Sequence, residues 1–331
     1  MLTVHSNAVA VLFCAITMIG WGSWANTQKL AGRTAWPFEL YYWDYALGLL
    51  LFSLLFMFTA GSLGAHGMPA LENLRQAAPV SLTYAALSGV LFNIANILLV
   101  VAIDVAGMAI AFPVGIGLAL IIGTVTSYLE QPKGNAPLLF LGVAFVLLAM
   151  ILSALAYRKL PRTSQRSWQK GILFAVVAGC LMGFFYPQLI RSLSPAFNSG
   201  TILPGKLTPY TALLLFAVGV FISNFVVNTI FMKAAGRSYG EYFAGSAWLH
   251  SLGILGGAIW MLAFGLNVIA SGVAGPAISY ALGQGATLIA AIWGVLIWKE
   301  FRAAPAGTMP LVALMFAGYV VGLCLIGFAS V

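Results

Sequence analysis

The chain has 331 residues, of which 62% are hydrophobic and only 7% are charged. Because a soluble domain carries about 25% charged residues, this composition excludes a water-soluble globular protein. The formal net charge is +8, but the basic residues fall in short segments between apolar stretches, where they orient helices in a membrane. Nucleic-acid binding is therefore not expected, and an integral membrane protein is predicted.

Ten apolar segments, each about long enough to cross a bilayer as a helix, follow one another along the chain. No Lys or Arg precedes the first segment, as it would in a cleavable signal peptide, so this segment is predicted to be the first spanning helix. The predicted spans are Asn7 to Asn26, Leu40 to Ala60, Pro79 to Ile103, Gly107 to Leu129, Pro137 to Tyr157, Gly171 to Leu189, Tyr210 to Met232, Phe243 to Phe264, Ser271 to Trp298 and Pro310 to Phe328.

Most of the Lys and Arg residues lie in the connections after the first, fifth, seventh and ninth spans. The other side of the membrane holds Arg75, Lys133, Arg191 and Lys206. Because positively charged loops stay in the cytoplasm, the first set of connections is predicted to be cytoplasmic and both termini are predicted to be outside.

Two stretches of the chain repeat each other. Residues 106–121 (AGMAIAFPVGIGLALI) and 274–289 (AGPAISYALGQGATLI) are identical at eight of sixteen positions without a gap. Each half would hold five helices, an odd number, so the halves enter the membrane in opposite orientations. This predicts an inverted repeat: residues 1–157 form the first half, 158–170 a basic cytoplasmic linker, and 171–331 the second half. Such repeats are typical of secondary transporters with a substrate site between the halves.

Three of the amides within the predicted spans are candidate site residues. Asn93 and Asn96 share a face of the third helix, and Gln284 lies in the ninth. Amides in hydrocarbon need partners, and each supplies both a donor and an acceptor, which suits a neutral solute rich in heteroatoms. They are candidate substrate-binding residues, and the alternative is hydrogen bonding between helices.

Small and aromatic residues accumulate near the repeated stretches. The glycines leave room for close helix packing or for a break that exposes backbone to a cavity. The aromatic rings are candidates for stacking on a substrate, the alternative being an interfacial aromatic belt. The candidate gating or packing residues are Gly22, Pro113, Gly115, Gly117, Gly283 and Gly285, and the candidate substrate-contacting rings are Trp24, Phe112, Tyr186 and Tyr280.

None of the seven acidic residues falls at the middle of a span. Asp44, about one turn inside the second helix, is either a helix N-terminal charge near Lys29 and Arg33 or a proton carrier. His250, in the eighth helix, ordinarily titrates near neutral pH and is either structural or a second coupling candidate. Glu130 and Glu300 are expected to anchor helix ends, one on each side of the membrane.

Enzyme chemistry has no support in the motifs. There is no P-loop, HExxH pair or GxSxG elbow, and the three cysteines lie inside apolar segments, so no disulfide framework, metal site or cofactor is predicted. A channel is the alternative of another class, but an inverted pair of halves suits alternating access better than a fixed pore.

Several motifs together resemble a known family. They are GSW at residues 22–24, YYWDY at 41–45, SGVLFNIAN ending at Asn96, AGPAISYALGQG at 274–285 and WGVLIWKEF at 293–301. With an acid closing the fourth and ninth helices, the chain resembles the drug/metabolite transporter superfamily. Within that superfamily it is similar to the plant ureide permeases and their bacterial relatives, near the glucose, ribose and rhamnose porters. One departure is that the repeat takes Asn96 to Phe264, and the nearest amide is Asn267.

The resemblance implies a permease in the bacterial inner membrane, surrounded by lipid, that moves a small neutral polar metabolite. A purine nucleobase, nucleoside or ureide is preferred, a monosaccharide comes next and multidrug export third. Proton symport is implied as a candidate coupling mode, while the oligomeric state is left open.

Overall fold

The structure is a computed structural model that describes residues 1–33, 36–63, 67–160 and 168–330. Within these ranges the regular structure is helical and no β-strand forms. Ten of the described helices are long and apolar enough to span a membrane, which confirms the predicted all-α membrane fold. In chain order they are α1 Asn7–Gly32, α2 Phe38–Phe58, α3 Pro79–Ala106, α4 Phe112–Glu130, α5 Ala136–Arg158, α6 Gln169–Ser192, α7 Pro209–Ala234, α8 Ala247–Ala274, α9 Pro276–Ile297 and α10 Thr308–Phe328.

The predicted boundary between the eighth and ninth helices was wrong. Helix α8 does not end at Phe264 but continues to Ala274, and α9 begins at Pro276 rather than Ser271. Asn267 can remain inside α8 because its amide nitrogen donates to the Ser279 carbonyl of α9, at 2.7 Å. A polar residue inside an apolar helix is tolerated when a neighbouring helix supplies its partner.

A glycine with positive φ ends each of two long helices at equivalent points of the sequence repeat. Gly107 follows α3 with φ 85°, and Gly275 follows α8 with φ 90°. Each is followed at once by another helix, starting at Met108 and Pro276 respectively. This backbone conformation is open to glycine and strained for other residues, so the two sharp reversals depend on it.

The helices pack in pairs that are preserved when each helix is exchanged with the helix five places away. Helix α3 packs against α6 and α7, while α8 packs against α1 and α2. Helix α4 packs against α6 as α9 does against α1, and both α5–α10 and α2–α7 are contacting pairs. The two halves therefore contribute the same kinds of interface to the bundle.

Glycines bring the backbones of α3 and α7 into direct contact. A Cβ on Gly89 of α3 would overlap the Phe216 carbonyl oxygen, and one on Gly219 of α7 would overlap the Ala86 carbonyl oxygen. In a bilayer, where burial of apolar surface does not favour helix association, such close packing is a main attraction between helices.

The α2–α8 interface repeats this arrangement. Gly257 of α8 lies against the Tyr45 carbonyl oxygen, and Gly48 of α2 lies against the Ile254 carbonyl oxygen. The offset that aligns residues 106–121 with 274–289 also takes Gly89 to Gly257. The two glycine-based interfaces therefore agree with the sequence repeat at positions far from the repeated stretch.

The helix ends form two faces. The terminal face carries both chain ends, where the Leu2 amide donates to the Ala60 carbonyl at 2.7 Å and the Asn135 amide to the Ala329 carbonyl at 2.8 Å. The linker face carries the connection from α5 to α6. Of the predicted linker, residues 161–167, including Arg162 and Arg166, lie outside the described residues, so its boundaries stay a prediction.

Replacing Gly89 by Ala should destabilise the fold. The added methyl group would push α3 away from α7, and overpacking of this kind costs about 1–3 kcal/mol. We expect the melting temperature of the detergent-solubilised variant to fall by several degrees in a fluorescence-detected thermal assay.

Gly327→Ala is the matched control, because a Cβ there meets nothing within 4 Å and Ala favours a helix over Gly. Equal melting temperatures for the two variants would contradict the backbone contact between α3 and α7.

Candidate functional site

A cavity of about 630 Å³ lies in the linker-face half of the bundle, between α1, α4, α5, α9 and α10. Its volume is within the range of small-molecule sites. The side chains that line it combine aromatic rings with hydrogen-bonding and charged groups. They include Asn26, Gln28, Lys29, Arg33, Phe112, Ser153, Tyr157, Thr287, Trp293, Trp298, Glu300 and Tyr319, with Gly22 and Gly294 at the wall.

The one acidic side chain in this lining is largely neutralised. Glu300, just beyond α9, receives the Lys29 ammonium on Oε1 at 2.6 Å and the Tyr157 hydroxyl on Oε2 at 2.7 Å. Lys29 therefore pairs with Glu300 and not with Asp44, and the ion pair joins the ends of α1 and α9. The remaining cation, Arg33, lies over the Trp298 ring at 4.7 Å.

Two indole rings of α9 are held against α1. The Trp293 nitrogen donates to the Ser23 hydroxyl at 2.9 Å, and the Trp298 nitrogen donates to the Asn26 side-chain oxygen at 2.7 Å. Lys29 also lies over the Trp298 ring, at 4.4 Å from its centre. These contacts orient flat aromatic walls along one side of the cavity.

The terminal face carries a corresponding ion pair. Arg191 at the end of α6 donates through Nε to Glu130 at the end of α4, at 2.8 Å. The ends of α4 and α6 are thus joined on one face as the ends of α9 and α1 are on the other. Glu130 and Glu300 both lie at helix ends, as the sequence analysis expected, one on each face.

An aromatic core lies on the terminal-face side of the cavity. It is centred on Trp260, whose ring lies 4.4 Å from Phe92, 4.9 Å from Phe264 and 5.4 Å from Trp21. Phe216 stacks on Trp260 at 5.8 Å. The aromatic core consists of Trp21, Phe92, Phe185, Phe216, Trp260 and Phe264, whose side chains pack on one another. A second cavity of about 620 Å³ lies between α1, α9 and α10 in the terminal-face half.

Two of the predicted substrate-contacting rings pack against this aromatic core. Tyr186 and Tyr280 pack 4.9 Å apart and both are fully buried. The Tyr280 hydroxyl donates to the carbonyl oxygens of Ala119 and Met182, at 3.2 and 3.3 Å. They lie away from the cavity, whereas Phe112 lines it.

The predicted glycine positions coincide with irregular helix. A π-helical turn, Phe112–Ile116, includes Pro113 and Gly115 at the start of α4, and α9 is interrupted after Gly283, at Gln284 and Gly285. Gly283 makes room for the Trp21 ring, 2.7 Å from where its Cβ would be, and Gly115 for Leu99, at 2.8 Å. Gly285 faces Met18, Gly22 faces Ile289, and Gly117 makes only an ordinary contact with Leu147, so all these glycines serve packing in this state.

The predicted amides do not form one cluster. Asn93 donates to the Ser223 hydroxyl at 2.9 Å, and Asn96 donates to the Tyr42 hydroxyl at 3.2 Å. Gln284 is half-buried and its side chain forms no hydrogen bond within the described residues.

Trp24 is connected to Asn96 through two tyrosines. The Trp24 ring packs on Tyr45 at 4.8 Å, and Tyr45 stacks on Tyr42 at 5.3 Å. Because Tyr42 accepts the Asn96 hydrogen bond, these residues of α1, α2 and α3 form a continuous cluster of aromatic and amide groups, which is largely buried.

The two coupling candidates meet directly. His250 of α8 approaches Asp44 of α2, with Nδ1 to Oδ2 at 2.9 Å, and the Tyr242 hydroxyl donates to Oδ1 of the same carboxyl at 2.7 Å. Asp44 is 1% exposed. Burial, and then the bond to Asp44, raise the pKa of Tyr242 above its ordinary value, so its hydroxyl remains a donor at physiological pH.

Sequence reasoning missed several members of these clusters. Tyr242 lies in the short helix Tyr239–Phe243, and its contact with Asp44 is fixed only by the tertiary fold. Asn224 and Asn228, four residues apart on α7, are both fully buried. Their helical spacing was the signal available in the sequence.

The chain is similar in sequence to a known protein family and to several plant proteins. Residues 41–170 match the family model described as ureide permease. Over 98% of this chain and 98% of the relative, the sequence is 22% identical to Ureide permease 1 of Arabidopsis thaliana. It is 22% identical to Ureide permease 2 of the same plant over 91% of this chain and 92% of the relative, and 23% identical to Ureide permease 4 over 98% of each.

A solved crystal structure of another protein, 18% identical, superposes on 97% of this chain and 98% of its own with a TM-score of 0.60. This likeness shows that the two proteins share their fold over nearly the whole chain. The ten-helix fold and the relatives define a membrane transporter rather than an enzyme. Over residues 41–170 the chain is similar to the ureide permease family.

The cavity should be open to water from the linker face alone. In a variant whose three native cysteines are replaced, we expect Thr287→Cys, in the lining, to react with a membrane-impermeant thiol reagent applied to that face. Alkylation would be read by mass spectrometry on oriented vesicles.

Ser279→Cys is the control, because Ser279 is fully buried and does not line the cavity. Labelling of Thr287→Cys from the terminal face, or equal labelling of both variants, would contradict a cavity that opens to the linker face.

Proposed function

We propose that the protein is a secondary transporter for a small neutral polar metabolite of the ureide, purine nucleobase or nucleoside type. The observation that carries the proposal is the largely buried cluster in which Asn96, Tyr42 and Trp24 combine amide, hydroxyl and aromatic groups without a charge. Once opened to a solute, such a cluster suits a planar molecule with several heteroatoms. The names of the plant relatives support the ureide class.

The substrate site we propose includes the amides Asn93, Asn96 and Gln284 and the ring of Trp24, with Phe112 at the cavity. Tyr186 and Tyr280 are fully buried and would contact the substrate only after the packing around them opens. The neutralised Glu300 supports a neutral solute over a hydrophobic cation, because a carboxylate already bound to Lys29 and Tyr157 has little capacity for another cation.

Alternating access is the proposed mechanism. The cavity lies toward the linker face and the aromatic core lies on its terminal-face side, as expected of one of two end states. Helix pairings preserved under exchange, and the matched glycine interfaces, support an inverted repeat whose two halves adopt the opposite state by trading roles.

We propose that the linker face is cytoplasmic in a bacterial inner membrane and that both termini are outside. The excess of Lys and Arg in the connections of that face supports this orientation. The cavity would then be open to the cytoplasm in the state described.

Proton symport is proposed through the Asp44–His250 pair. A buried carboxyl that is hydrogen-bonded to a hydroxyl and an imidazole can pass a proton to or from the histidine as protons bind to the pair and leave it. Its place between α2 and α8, one helix from each half, allows such a change to affect how the halves meet.

The substrate class is tested by transport into proteoliposomes. Labelled allantoin, adenine, a nucleoside, ribose and a quaternary ammonium would be compared with and without an inward proton gradient, together with saturable counterflow. We expect accumulation of the purine or ureide solutes, driven by the gradient. Uptake of ribose or the ammonium alone would overturn the substrate class, and flux without counterflow would indicate a channel.

Replacing Asp44 by Asn should separate coupling from binding. The amide keeps the shape and can still accept from Tyr242, but it carries no charge, so we expect gradient-driven accumulation to be lost while counterflow of the same solute persists.

Glu241→Gln is the control, because Glu241 adjoins Tyr242 in the same short helix but is exposed and pairs only with Arg237, at 3.5 Å. This variant should accumulate solute as the wild type does. If Asp44→Asn accumulates solute normally, Asp44 has no part in coupling.

A further inference from the structure

Asn224 of α7 is a fully buried amide with neither end in use. Its nitrogen and its oxygen both lack a hydrogen-bond partner within the described residues. Other buried amides use at least their nitrogen: that of Asn93 donates to Ser223, and that of Asn228 to the Glu39 carbonyl at 3.0 Å. Asn224 thus presents an intact donor and acceptor side by side.

The neighbours of Asn224 locate it at the seam between α7, α3 and α2. Ser223, the preceding residue, accepts from Asn93 of α3. Asn228, one turn further along, is joined to α2 through Glu39. In the opposite direction Val220, also buried, packs its backbone on Gly89 of α3. Asn224 therefore lies on the inward face of α7, at the level of the candidate substrate residues.

Other buried side-chain atoms of α2, α3 and α7 also lack a hydrogen-bond partner in the part of the chain that the structure describes. The side-chain oxygens of Asn93 and Asn228 and the hydroxyl of Tyr45 are buried without a partner within the described residues. Unmade hydrogen bonds are expensive inside a membrane protein, because lipid offers no replacement. A leucine at position 224 would avoid that cost, so the amide is not explained by stability of this state.

We propose that Asn224 recognises the substrate by a two-point hydrogen bond to an edge that places an N–H donor beside a C=O acceptor. Cyclic amides, imides and ureides carry this edge, and the amide side chain is complementary to it in one plane. A monosaccharide has no such edge. The proposal rests on the proposed function and assigns Asn224 as the residue that recognises this edge.

Recognition by Asn224 requires the seam to open, since the side chain is buried in the closed state. The bonds that hold the seam are uncharged: Asn93 to Ser223 at 2.9 Å and Asn96 to Tyr42 at 3.2 Å. A solute that supplies its own donor and acceptor can replace such bonds one for one. Entry of the substrate thus exchanges hydrogen bonds between helices for hydrogen bonds to the solute.

The test compares a matched pair of solutes and a matched pair of variants. Binding of hydantoin and uracil, and of their N,N′-dimethyl derivatives, would be measured by calorimetry on the purified full-length protein. Methylation removes the donors but keeps the ring. We expect wild-type protein to prefer the unmethylated solutes by about tenfold or more, as the loss of one or two hydrogen bonds predicts. Asn224→Leu should lose this preference.

Thermal stability separates recognition from a structural role. Asn224→Leu should melt at or above the wild-type temperature, because it removes an unpaired buried amide. Asn228→Leu, which deletes the bond to the Glu39 carbonyl, should melt lower. If Asn224→Leu melts well below wild type, the amide is structural and the proposal is overturned.

The outcomes also separate this proposal from the proposed function. If wild-type protein discriminates the solute pair and Asn224→Leu discriminates it equally, the role of Asn224 is overturned while the substrate class stands. If wild-type protein binds neither ring amide and transports ribose, both are overturned.

Discussion

The constraint on which the structure depends is that a polar group inside a bilayer must find its partner within the protein. Helices satisfy the backbone, and side chains that interrupt the apolar spans are paired across helices. Asn267 donates to the Ser279 carbonyl and Asn228 to the Glu39 carbonyl, at 2.7 and 3.0 Å. Asn224 has no such partner within the described residues, and this is the basis of the recognition proposed for it.

The same constraint explains where the charges lie. Glu300 with Lys29 and Glu130 with Arg191 lie at helix ends on opposite faces of the bundle, where water reaches and the cost of charge is small. Such half-exposed pairs contribute modestly to stability, so their interest lies in position: each joins the last turns of two helices. Asp44 is the exception, since it is almost fully buried and depends on His250 and Tyr242 for its partners.

How far the sequence could predict the site depends on the range of each contact. Asn96 and Trp24 were recognisable as a polar and an aromatic residue in apolar spans, but their connection through Tyr42 and Tyr45 requires α1, α2 and α3 to meet. Asp44 and His250 were separate candidates, and no spacing rule joins residues on different helices. The boundary at α8 was misplaced because Asn267, polar in the sequence, has its partner on α9.

The sequence by itself determined the membrane class, the ten spans and the repeat of the stretch at Gly107 in the stretch at Gly275, because hydropathy and glycine conformation are local properties. Only the tertiary structure decided where the cavity lies, which cation pairs with Glu300, and which amides of the described residues are left unpaired. These depend on the approach of helices distant in the chain. At Gly89 and Gly257 that approach is set by backbone contact, which a sequence does not display until its helices are packed.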